Sequence, residues 1–334
     1  MRLKILDYSW HQVHLYRMAQ ALPATFTVVG VKVPHWNTAQ RPIPDNVRLV
    51  GIHEFDEDVT GYDVAILHLD QWVDRLNLRA SPFRWMRETT REIPQVVIMH
   101  GTPDNPQNRK GVLRLIGDLP VVCNSRQAAR EWDGGEGRLD RYGLPQFRAI
   151  IHGYTDEFFY YPLSYRSLGA ITICSGGDMS RWYHGLSLVE RLKREVPLTW
   201  YGPRGDQPWR PNYTSYRGLL ASALIYFSPT RRGPMPGSRT EAMLSGCCVV
   251  SVSGQDAEDY IETGVNGFIV RTYSEAAECL RWLLENPEAA YRVGLQGRKD
   301  ALKFFDHRRY AANWVMHLMR MGIGGNDGAV DERA

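Results

Sequence analysis

The stretch that decides the fold runs from Pro236 to Val270 and reads PGSRTEAMLSGCCVVSVSGQDAEDYIETGVNGFIV. Gly237 permits a tight turn, and residues 238–240 open a helix that the pattern predicts to end at Ser245–Gly246. The apolar run Cys247–Val252 follows and indicates a buried strand of a parallel sheet. A helix that begins at the edge of such a sheet presents free backbone amides and a positive dipole end, which together suit a diphosphate.

Glu241 lies in the first turn of this predicted helix and has two interpretations. Its carboxylate is able to accept two hydrogen bonds from the hydroxyls of a ribose. Alternatively, Ser238 and Glu241 form a capping box, in which Glu241 only accepts a hydrogen bond from the Ser238 backbone amide. The local pattern by itself favours neither interpretation over the other.

The same alternation of apolar runs and helix-period segments extends along nearly the whole chain. In the first half the apolar runs are Leu3–Tyr8, Thr25–Val31, Val64–Leu69, Val96–His100, Val121–Cys123 and Ala149–Ile151. In the second half they are Ala170–Cys174, Leu198–Tyr201, Leu224–Phe227, Cys247–Val252 and Phe268–Val270. Helices between buried strands predict an α/β protein with two Rossmann-like parallel-sheet domains that face each other across a cleft.

The segment TDEFFYYPLSYRSLG separates the two series and contains Pro162, so it is a candidate linker. We therefore expect an N-terminal domain over residues 1–164 and a C-terminal domain over residues 165–305. Residues 306–322 are expected to form a closing helix that crosses back to the N-terminal domain. Residues 323–334 are Gly-rich and polar, and the pattern predicts a mobile tail.

The Pro236–Val270 stretch resembles the donor-binding segment of the retaining GT-B glycosyltransferases of family 4, also called group 1. The residues that match are Glu241-Ala242-Met243, Gly246, Val249-Val250 and Gly264-Val265-Asn266-Gly267-Phe268. Further landmarks stand in the family's order at Val121–Ser125, Ile150–Phe158, Trp200–Gly202 and residues 291–318. The resemblance implies the GT-B fold, with the acceptor on the N-terminal domain and a nucleotide-sugar on the C-terminal domain.

The resemblance also implies roles for the donor-side residues. Glu241 would bind the ribose. The segment Gly237, Ser238, Arg239 and Thr240 would hold the diphosphate through its amides, together with Arg181 as a catalytic cation. Gly202, Pro203 and Arg204 would lie near the base, and His184 stands where the family has a lysine before a glycine.

Three departures from the family pattern concern this same side. The first glutamate of the family's E-x7-E pair falls at Gly233, next to Arg231 and Arg232. The family's diphosphate-binding Arg and Lys are reduced to Arg181. The usual Gly-rich loop after the first strand is replaced by Tyr8–His11. These departures favour an alternative, a catalytically silent relative that binds a nucleotide or scaffolds a partner.

On the acceptor side, the resemblance places the family's cleft histidine at His100, near the transferred sugar. The alternative is a histidine that only bonds the turn after its strand. Tyr8, Ser9, Trp10 and His11 are expected to line the acceptor side. Asp104 is a further candidate there, although helix capping is the favoured role for Asp104 and Asn105.

Composition limits the other classes of function. Lys and Arg number 40 against 37 Asp and Glu, a net charge of +3, so a nucleic-acid base ranks low among the acceptors. Asp56-Glu57-Asp58 resembles a metal-binding D-x-D, but it lies in an acidic loop and is expected to be solvated. The five cysteines form no C-x-x-C pair and favour reduced thiols in a cytoplasmic protein. No apolar run reaches the roughly 18 residues that a membrane span needs, so the sequence predicts no span. Peripheral contact with a membrane surface remains an alternative.

The sequence therefore predicts a hexosyl- or pentosyltransferase that moves a sugar from a UDP- or GDP-linked donor to a hydroxyl acceptor with retention. The donor would be a co-substrate, with no obligatory cofactor or metal. The acceptor classes are a glycan, a lipid-linked sugar and a small molecule, with a modified nucleic-acid base below them. An epimerase or phosphorylase on the same fold is a third class, for which no acid–base pair or cofactor lysine is identifiable.

Overall fold

The computed structural model describes residues 2–30, 36–56, 58–70, 82–174, 182–203, 205–208, 212–254 and 256–324. The chain divides into two compact units. Unit 1 consists of Met1–Gly153 and His307–Ala334, and unit 2 is Tyr154–Asp306. Each unit contains a parallel sheet with helices, which confirms the predicted pair of Rossmann-like domains.

The first border between the units lies between Gly153 and Tyr154, whereas the sequence predicts it between residues 164 and 165. Residues 154–164 belong to unit 2, because the Tyr154 backbone amide donates to the Phe305 carbonyl at 2.8 Å. Arg298 also pairs with Asp156 at 2.9 Å. These contacts join both ends of unit 2, and a pattern of apolar runs does not show them.

Unit 1 has a sheet of seven parallel strands within the described residues, in the order β3-β2-β1-β4-β5-β6-β7. The strands are β1 (Leu3–Tyr8), β2 (Ala24–Gly30), β3 (Val47–Gly51), β4 (Val64–Leu69), β5 (Gln95–Met99), β6 (Val121–Cys123) and β7 (Phe147–Ala149). The helices are α1 (Gln12–Ala21), α2 (Pro82–Thr89), α3 (Pro106–Ile116), α4 (Arg126–Asp133) and, at the end of the chain, α10 (His307–Arg320).

β3 is the strand of unit 1 that the apolar runs do not predict. It is an edge strand of sequence VRLVG, and only Val50 on it is buried. A strand with a single buried side chain carries a weak apolar signal. The other six strands coincide with predicted runs to within a few residues, and in all of them except β7 most side chains are buried.

Strand order places a topological switch point in the middle of this sheet. The chain moves from β1 outward to β2 and β3 on one side, and then returns to β4 on the other side of β1. The loops that follow β1 and β4 therefore diverge and leave a crevice at the carboxyl ends of these strands. Open parallel sheets bind their ligands at such crevices.

Unit 2 has a sheet of five parallel strands within the described residues, in the order β12-β11-β10-β8-β9. The strands are β8 (Leu168–Ile173), β9 (Leu198–Tyr201), β10 (Ala223–Ser228), β11 (Cys248–Val252) and β12 (Phe268–Val270). The helices are α5 (Leu186–Leu192), α6 (Tyr213–Ser222), α7 (Gly237–Leu244), α8 (Tyr273–Glu285) and α9 (Pro287–Phe304). The switch point here lies between β8 and β10.

Each unit has its own apolar core. In unit 1 the inner face of the sheet packs under α2, α3 and α4, with Trp132 fully buried. In unit 2 the core joins β8, β10 and β11 to α5 and α8. α10 returns to unit 1 and packs against α1, where Trp314 is fully buried. No described helix is long and apolar enough to cross a membrane, and all five cysteines are unpaired.

Candidate functional site

The predicted donor helix of unit 2 is α7, and it begins one residue before the predicted opening. Pro236 is the N-cap residue, and no side chain caps the helix. Ser238 therefore lies inside the helix, and the Ser238–Glu241 capping box is not formed. The amides of Arg239 and Thr240 both donate to the Pro236 carbonyl, at 3.1 and 3.4 Å. An anion at this N-terminus would thus meet the Gly237 and Ser238 amides, rather than those of residues 238–240.

Glu241 is buried on α7 and contacts the neighbouring helix. Its Oε2 atom accepts a hydrogen bond from the hydroxyl of Tyr216 on α6. A second tyrosine, Tyr226 on β10, donates to Ser238 Oγ at 2.7 Å. Burial raises the pKa of Tyr226, so its hydroxyl remains a donor at neutral pH. Two tyrosines therefore fix the orientation of the two polar side chains at this end of α7.

Arg239 is occupied elsewhere. Its guanidinium pairs with Asp256 at 2.9 Å, and both side chains are almost fully buried. Asp256 also accepts a hydrogen bond from the Met235 amide at 3.0 Å, where the backbone has a φ of 47°. The side chain of Arg239 thus holds the turn before α7, and its predicted role at the diphosphate concerns only its backbone amide.

Gly202 and Pro203 follow β9 and lie at the carboxyl edge of the second sheet. A Cβ atom at Gly202 would collide with the Cys174 carbonyl oxygen, so only glycine fits there. Pro203 is exposed. Thr240, also predicted for the donor, is fully buried, and its Oγ1 finds no partner among the described residues.

His184 precedes α5 and is half-buried. Burial lowers its pKa from the ordinary value of 6.5, so the imidazole is neutral at pH 7. It therefore does not replace the positive charge of the family's lysine. The other two cations predicted on this side, Arg181 and Arg204, lie outside the described residues. Arg231 and Arg232 donate their backbone amides to the Tyr183 carbonyl, at 2.8 and 3.2 Å.

In unit 1, His100 follows β5 and is partly exposed. His11 is the N-cap residue of α1, and its ring stacks on His100 with a centroid distance of 4.7 Å and an interplanar angle of 9°. Ser9 and Trp10 are half-buried beside them. The structure therefore brings His100 and His11 together at one edge of the sheet.

Tyr8 and Asp104 are placed differently from the other predicted acceptor-side residues. Tyr8 is fully buried, and its hydroxyl donates to the His68 carbonyl at 2.8 Å and accepts from the His68 amide at 2.9 Å. Asp104 does not cap α3; Asn105 does, accepting from the Asn108 amide at 2.8 Å. Asp104 instead donates its backbone amide to the Asn108 side chain.

The main residues that sequence reasoning missed are Asp7 and His68. His68 Nε2 lies 2.8 Å from Asp7 Oδ1, and His68 Nδ1 lies 2.9 Å from His100 Nε2. Asp7 and His68 are fully buried. The available signal was a polar residue near the carboxyl end of an apolar strand, in LKILDY and VAILHL. Tyr8 and His68, which join the two strands by a hydrogen bond, are 60 residues apart in the sequence. The sequence therefore does not place Asp7 and His68 together.

Two further histidines complete the group, which we call the histidine cluster: His11, His14, His68, His100 and His152. His14 Nε2 lies 3.1 Å from the Tyr310 hydroxyl of α10, and Arg17 Nη1 lies 3.1 Å from His152 Nδ1. Burial, reinforced by the neighbouring imidazoles and by Arg17, holds the pKa values of His14, His100 and His152 well below 6.5. These three rings are neutral bases at pH 7.

Histidine and carboxylate side chains are also the usual ligands of metal ions. Across the described ranges, no three His, Cys, Asp or Glu side chains are placed to hold one ion. In the acidic loop, Glu57 lies outside the described residues. Asp58 is exposed, and its Oδ1 accepts hydrogen bonds from the amide and hydroxyl of Thr60 at 3.0 and 2.6 Å. This carboxylate caps a turn.

Comparison with known proteins identifies the fold and matches one segment to a family model. Residues 207–300 match the family model of the glycosyl transferases group 1. These residues include α6, α7 and the strand and loops between β10 and β12, and hence Tyr216, Glu241 and the Arg239–Asp256 pair. The matched residues all lie within unit 2. A search of curated proteins found no match.

Solved structures match over nearly the whole chain. HepE of Anabaena in complex with UDP-glucose has a TM-score of 0.71 at 14% identity, and the match covers 95% of this chain and 100% of that one. Sucrose-phosphate synthase of Thermosynechococcus elongatus has a TM-score of 0.69 at 13% identity, with coverages of 96% and 99%. A glycosyltransferase of Rickettsia africae has a TM-score of 0.67 at 12% identity, with coverages of 96% and 98%. The chain therefore has the GT-B fold.

Proposed function

We propose that this chain is a glycosyltransferase that moves a sugar from a UDP- or GDP-linked donor to a hydroxyl acceptor, with retention of the anomeric configuration. The observation that carries the proposal is the state of Glu241. It lies in the segment that matches the group 1 model, and it is not engaged in a capping box but held by Tyr216. One solved structure of the same fold holds UDP-glucose.

In this proposal the donor is bound by unit 2. Glu241 accepts hydrogen bonds from the ribose hydroxyls, and the Gly237 and Ser238 amides meet the diphosphate at the N-terminus of α7. When the bond between the anomeric carbon and the diphosphate breaks, negative charge develops on the leaving oxygen. Prearranged donors at that oxygen lower the barrier more than any other single device. Arg181 remains the proposed cation for this charge.

Ribose recognition is tested with two variants that each change one partner of the Tyr216–Glu241 hydrogen bond. Glu241→Gln removes the charge, whereas Tyr216→Phe keeps it. A hydrogen bond to a charged group contributes about 1.5–3 kcal/mol, so Glu241→Gln should weaken UDP binding by at least about tenfold. Tyr216→Phe should weaken it less, as measured by isothermal titration calorimetry.

The control ligand for that experiment is 2′-deoxy-UDP. Wild-type protein and Tyr216→Phe should prefer UDP to 2′-deoxy-UDP, and this preference should be smaller in Glu241→Gln, which keeps only a neutral acceptor. If Glu241→Gln retains the wild-type preference, Glu241 does not bind the ribose. A thermal-shift panel of UDP-, GDP-, ADP- and dTDP-sugars identifies the base, since a ligand at 100 times its Kd adds about 2.7 kcal/mol of stability.

Two finer parts of the proposal have their own measurements. The coupling constant of the anomeric proton in the product, read by NMR before mutarotation, distinguishes retention from inversion. Turnover that persists in EDTA supports a reaction without an obligatory metal. Glycans, lipid-linked sugars and small molecules are the acceptors to screen. The unpaired cysteines support the cytoplasm as the compartment.

A silent relative is the second candidate, and two observations favour it. His184 is neutral where the family has a lysine. Gly233 also stands where the family has a sugar-binding glutamate. Such a protein would bind a nucleotide-sugar but neither transfer nor hydrolyse it. Release of UDP from UDP-sugars therefore separates the two candidates.

A further inference from the structure

The carboxyl edge of the first sheet holds a chain of three hydrogen-bonded side chains. Asp7 near the end of β1, His68 on β4 and His100 after β5 are connected by distances of 2.8 and 2.9 Å. β1 and β4 flank the switch point, and β5 pairs with β4. Asp7 and His68 are fully buried, and His100 is the partly exposed end of the chain. The chain therefore leads from the core to the edge at which ligands bind.

For a His68 ring that carries one proton, the hydrogen bonds assign a position to each ring proton. Asp7 Oδ1 accepts the Tyr8 backbone amide at 2.6 Å, so it is an acceptor toward His68 as well. His68 must then donate from Nε2 to Asp7, which leaves the lone pair on its Nδ1. That lone pair accepts from His100, so His100 carries its proton on Nε2. The lone pair of His100 is consequently on Nδ1.

Other side chains keep this arrangement in place. The two hydrogen bonds between the Tyr8 hydroxyl and the His68 backbone fix the position of His68. Titratable groups face His100 from several elements: His11 and His14 from α1, His68 from β4, and His152 from the segment after β7. Each of three of these histidines has a further partner. Asp7 is hydrogen-bonded to His68, Arg17 to His152, and Tyr310 to His14.

We propose that His100 accepts the proton of the acceptor hydroxyl at Nδ1, and that His68 and Asp7 are the positioning residues that orient it and stabilise its charged form. This inference rests on the proposed function. The acceptor O–H bond breaks and its proton joins His100 Nδ1. The acceptor oxygen bonds the anomeric carbon on the face from which the diphosphate departs, so the configuration is retained, and the diphosphate leaves with the electron pair of the broken bond. His100 later returns the proton to solvent.

The contribution of Asp7 is electrostatic. As His100 becomes an imidazolium, its Nε2–H bond to His68 strengthens, and the His68 bond to the buried carboxylate strengthens with it. Asp7 does not itself take the proton. An oriented base of this kind typically accelerates a reaction about 10²–10⁴-fold. If instead the proton passes directly to the leaving diphosphate, His100 contributes nothing to this step.

The test uses the whole protein with UDP-glucose, or with the nucleotide-sugar that binds best, and compares two nucleophiles. Water must lose a proton as it attacks, whereas azide has none to lose. His100→Gln should slow UDP release by water about 10²–10⁴-fold and leave the release in the presence of azide close to that of wild type. His68→Asn and Asp7→Asn should show the same selective loss to a smaller extent, at least about tenfold.

The controls separate this proposal from the proposed function. His53→Gln changes an exposed histidine outside the cluster and should leave both rates unchanged. UDP affinity should be the same in all four variants, since Glu241 lies in unit 2. If wild-type protein neither binds nor cleaves any donor, the proposed function fails. If wild type cleaves the donor and His100→Gln slows water and azide equally, or slows neither, the proton-accepting role is wrong.

A second measurement does not depend on activity. In ¹⁵N-histidine-labelled protein, NMR distinguishes protonated from unprotonated ring nitrogens, and the His100→Gln spectrum identifies the signals of His100. We expect a protonated Nε2 and an unprotonated Nδ1 at pH 7. The opposite tautomer would overturn the proposal, because His100 would then have no lone pair to offer at Nδ1.

Discussion

At the scale of single residues, α7 carries two charged side chains of different use. Glu241 is fixed by one hydrogen bond from Tyr216 on α6, and Arg239 is fixed by an ion pair with Asp256. The sequence predicts the Glu241 side chain and only the backbone amide of Arg239 as ligands of the donor, because a pattern shows spacing and not the partners of a side chain. The structure separates them, since a buried arginine that already pairs with a carboxylate is not available to a diphosphate.

The Arg239–Asp256 pair makes a prediction about stability. Arg239→Met leaves the Asp256 carboxylate buried without its cation, and the free energy of unfolding should fall by about 3–5 kcal/mol. The double variant Arg239→Met/Asp256→Leu leaves no uncompensated charge and should lose less than the single variant. Urea unfolding at pH 7 measures both. Equal losses, or no loss in Arg239→Met, would show that the pair is not buried in solution.

The limit of sequence reasoning is also clearest at this scale. His100 is recognisable, because it ends an apolar strand and is followed by a glycine. Asp7 and His68 occupy similar positions in their strands, but each reads as an ordinary polar residue within its own run. Only the sheet order, with β4 between β1 and β5, brings the three side chains into one hydrogen-bonded chain.

At the scale of elements, the sequence predicts the strands well and the contacts between helices poorly. Strands buried on both faces are continuous apolar runs, so β1, β4, β6, β9 and β12 have the predicted ends. The apolar runs do not predict β3, because it is an edge strand with one buried side chain. Helix contacts depend on small residues whose partners are distant in sequence, and α9 is the clearest instance.

Glycines in α6 and α9 should respond in opposite ways to the same substitution. A Cβ atom at Gly218 of α6 would meet nothing within 4 Å, whereas one at Gly294 of α9 would lie 2.8 Å from the Cys248 amide nitrogen. Gly218→Ala should therefore stabilise the protein by about 0.5–1 kcal/mol, through helix propensity. Gly294→Ala should destabilise it by about 1–3 kcal/mol, because α9 must move away from the sheet.

Chemical unfolding of the two alanine variants, compared with wild type, checks this pair. Helix propensity is the same for both substitutions, so it cancels in the difference between them. The difference measures the close approach of α9 to the strand that follows α7. A stabilising Gly294→Ala would mean that this approach is looser in solution than in the structure.

At the scale of the whole molecule, the net charge of +3 says little about function, but the distribution of histidines distinguishes the two units. Unit 1 holds four histidines with lowered pKa values, namely His14, His100, His152 and His317, within the described residues. Unit 2 holds one, His184. The exposed or part-buried carboxyl groups with lowered pKa values are divided evenly. They are Asp58, Asp118 and Glu136 in unit 1, and Asp206, Glu258 and Glu275 in unit 2.

This distribution predicts that unit 1 is the more acid-sensitive of the two. Each of these histidines binds a proton at its ordinary pKa of 6.5 when the chain is unfolded, and only at a lower pH when it is folded. Below pH 6.5 the unfolded state therefore binds more protons, and stability falls as the pH falls. Each histidine removes up to about 2 kcal/mol by pH 5, from a slope of about 1.4 kcal/mol per pH unit. The pKa values of these carboxyl groups are lowered from ordinary values of 3.8 or 4.5, so they stay ionised in this range.

Hydrogen exchange followed by mass spectrometry between pH 8 and pH 5, corrected for the intrinsic exchange rate, measures each unit by itself. Protection of β1, β4 and β5 should fall much more than that of β8, β10 and β11. His317→Leu is the matched control, because burial, reinforced by Arg148 and Arg320, lowers the His317 pKa to about 4 and neither ring nitrogen has a partner among the described residues. This variant should flatten the pH dependence of unit 1 and leave unit 2 unchanged. A parallel loss of protection in both units would contradict the assignment of the acid sensitivity to these histidines.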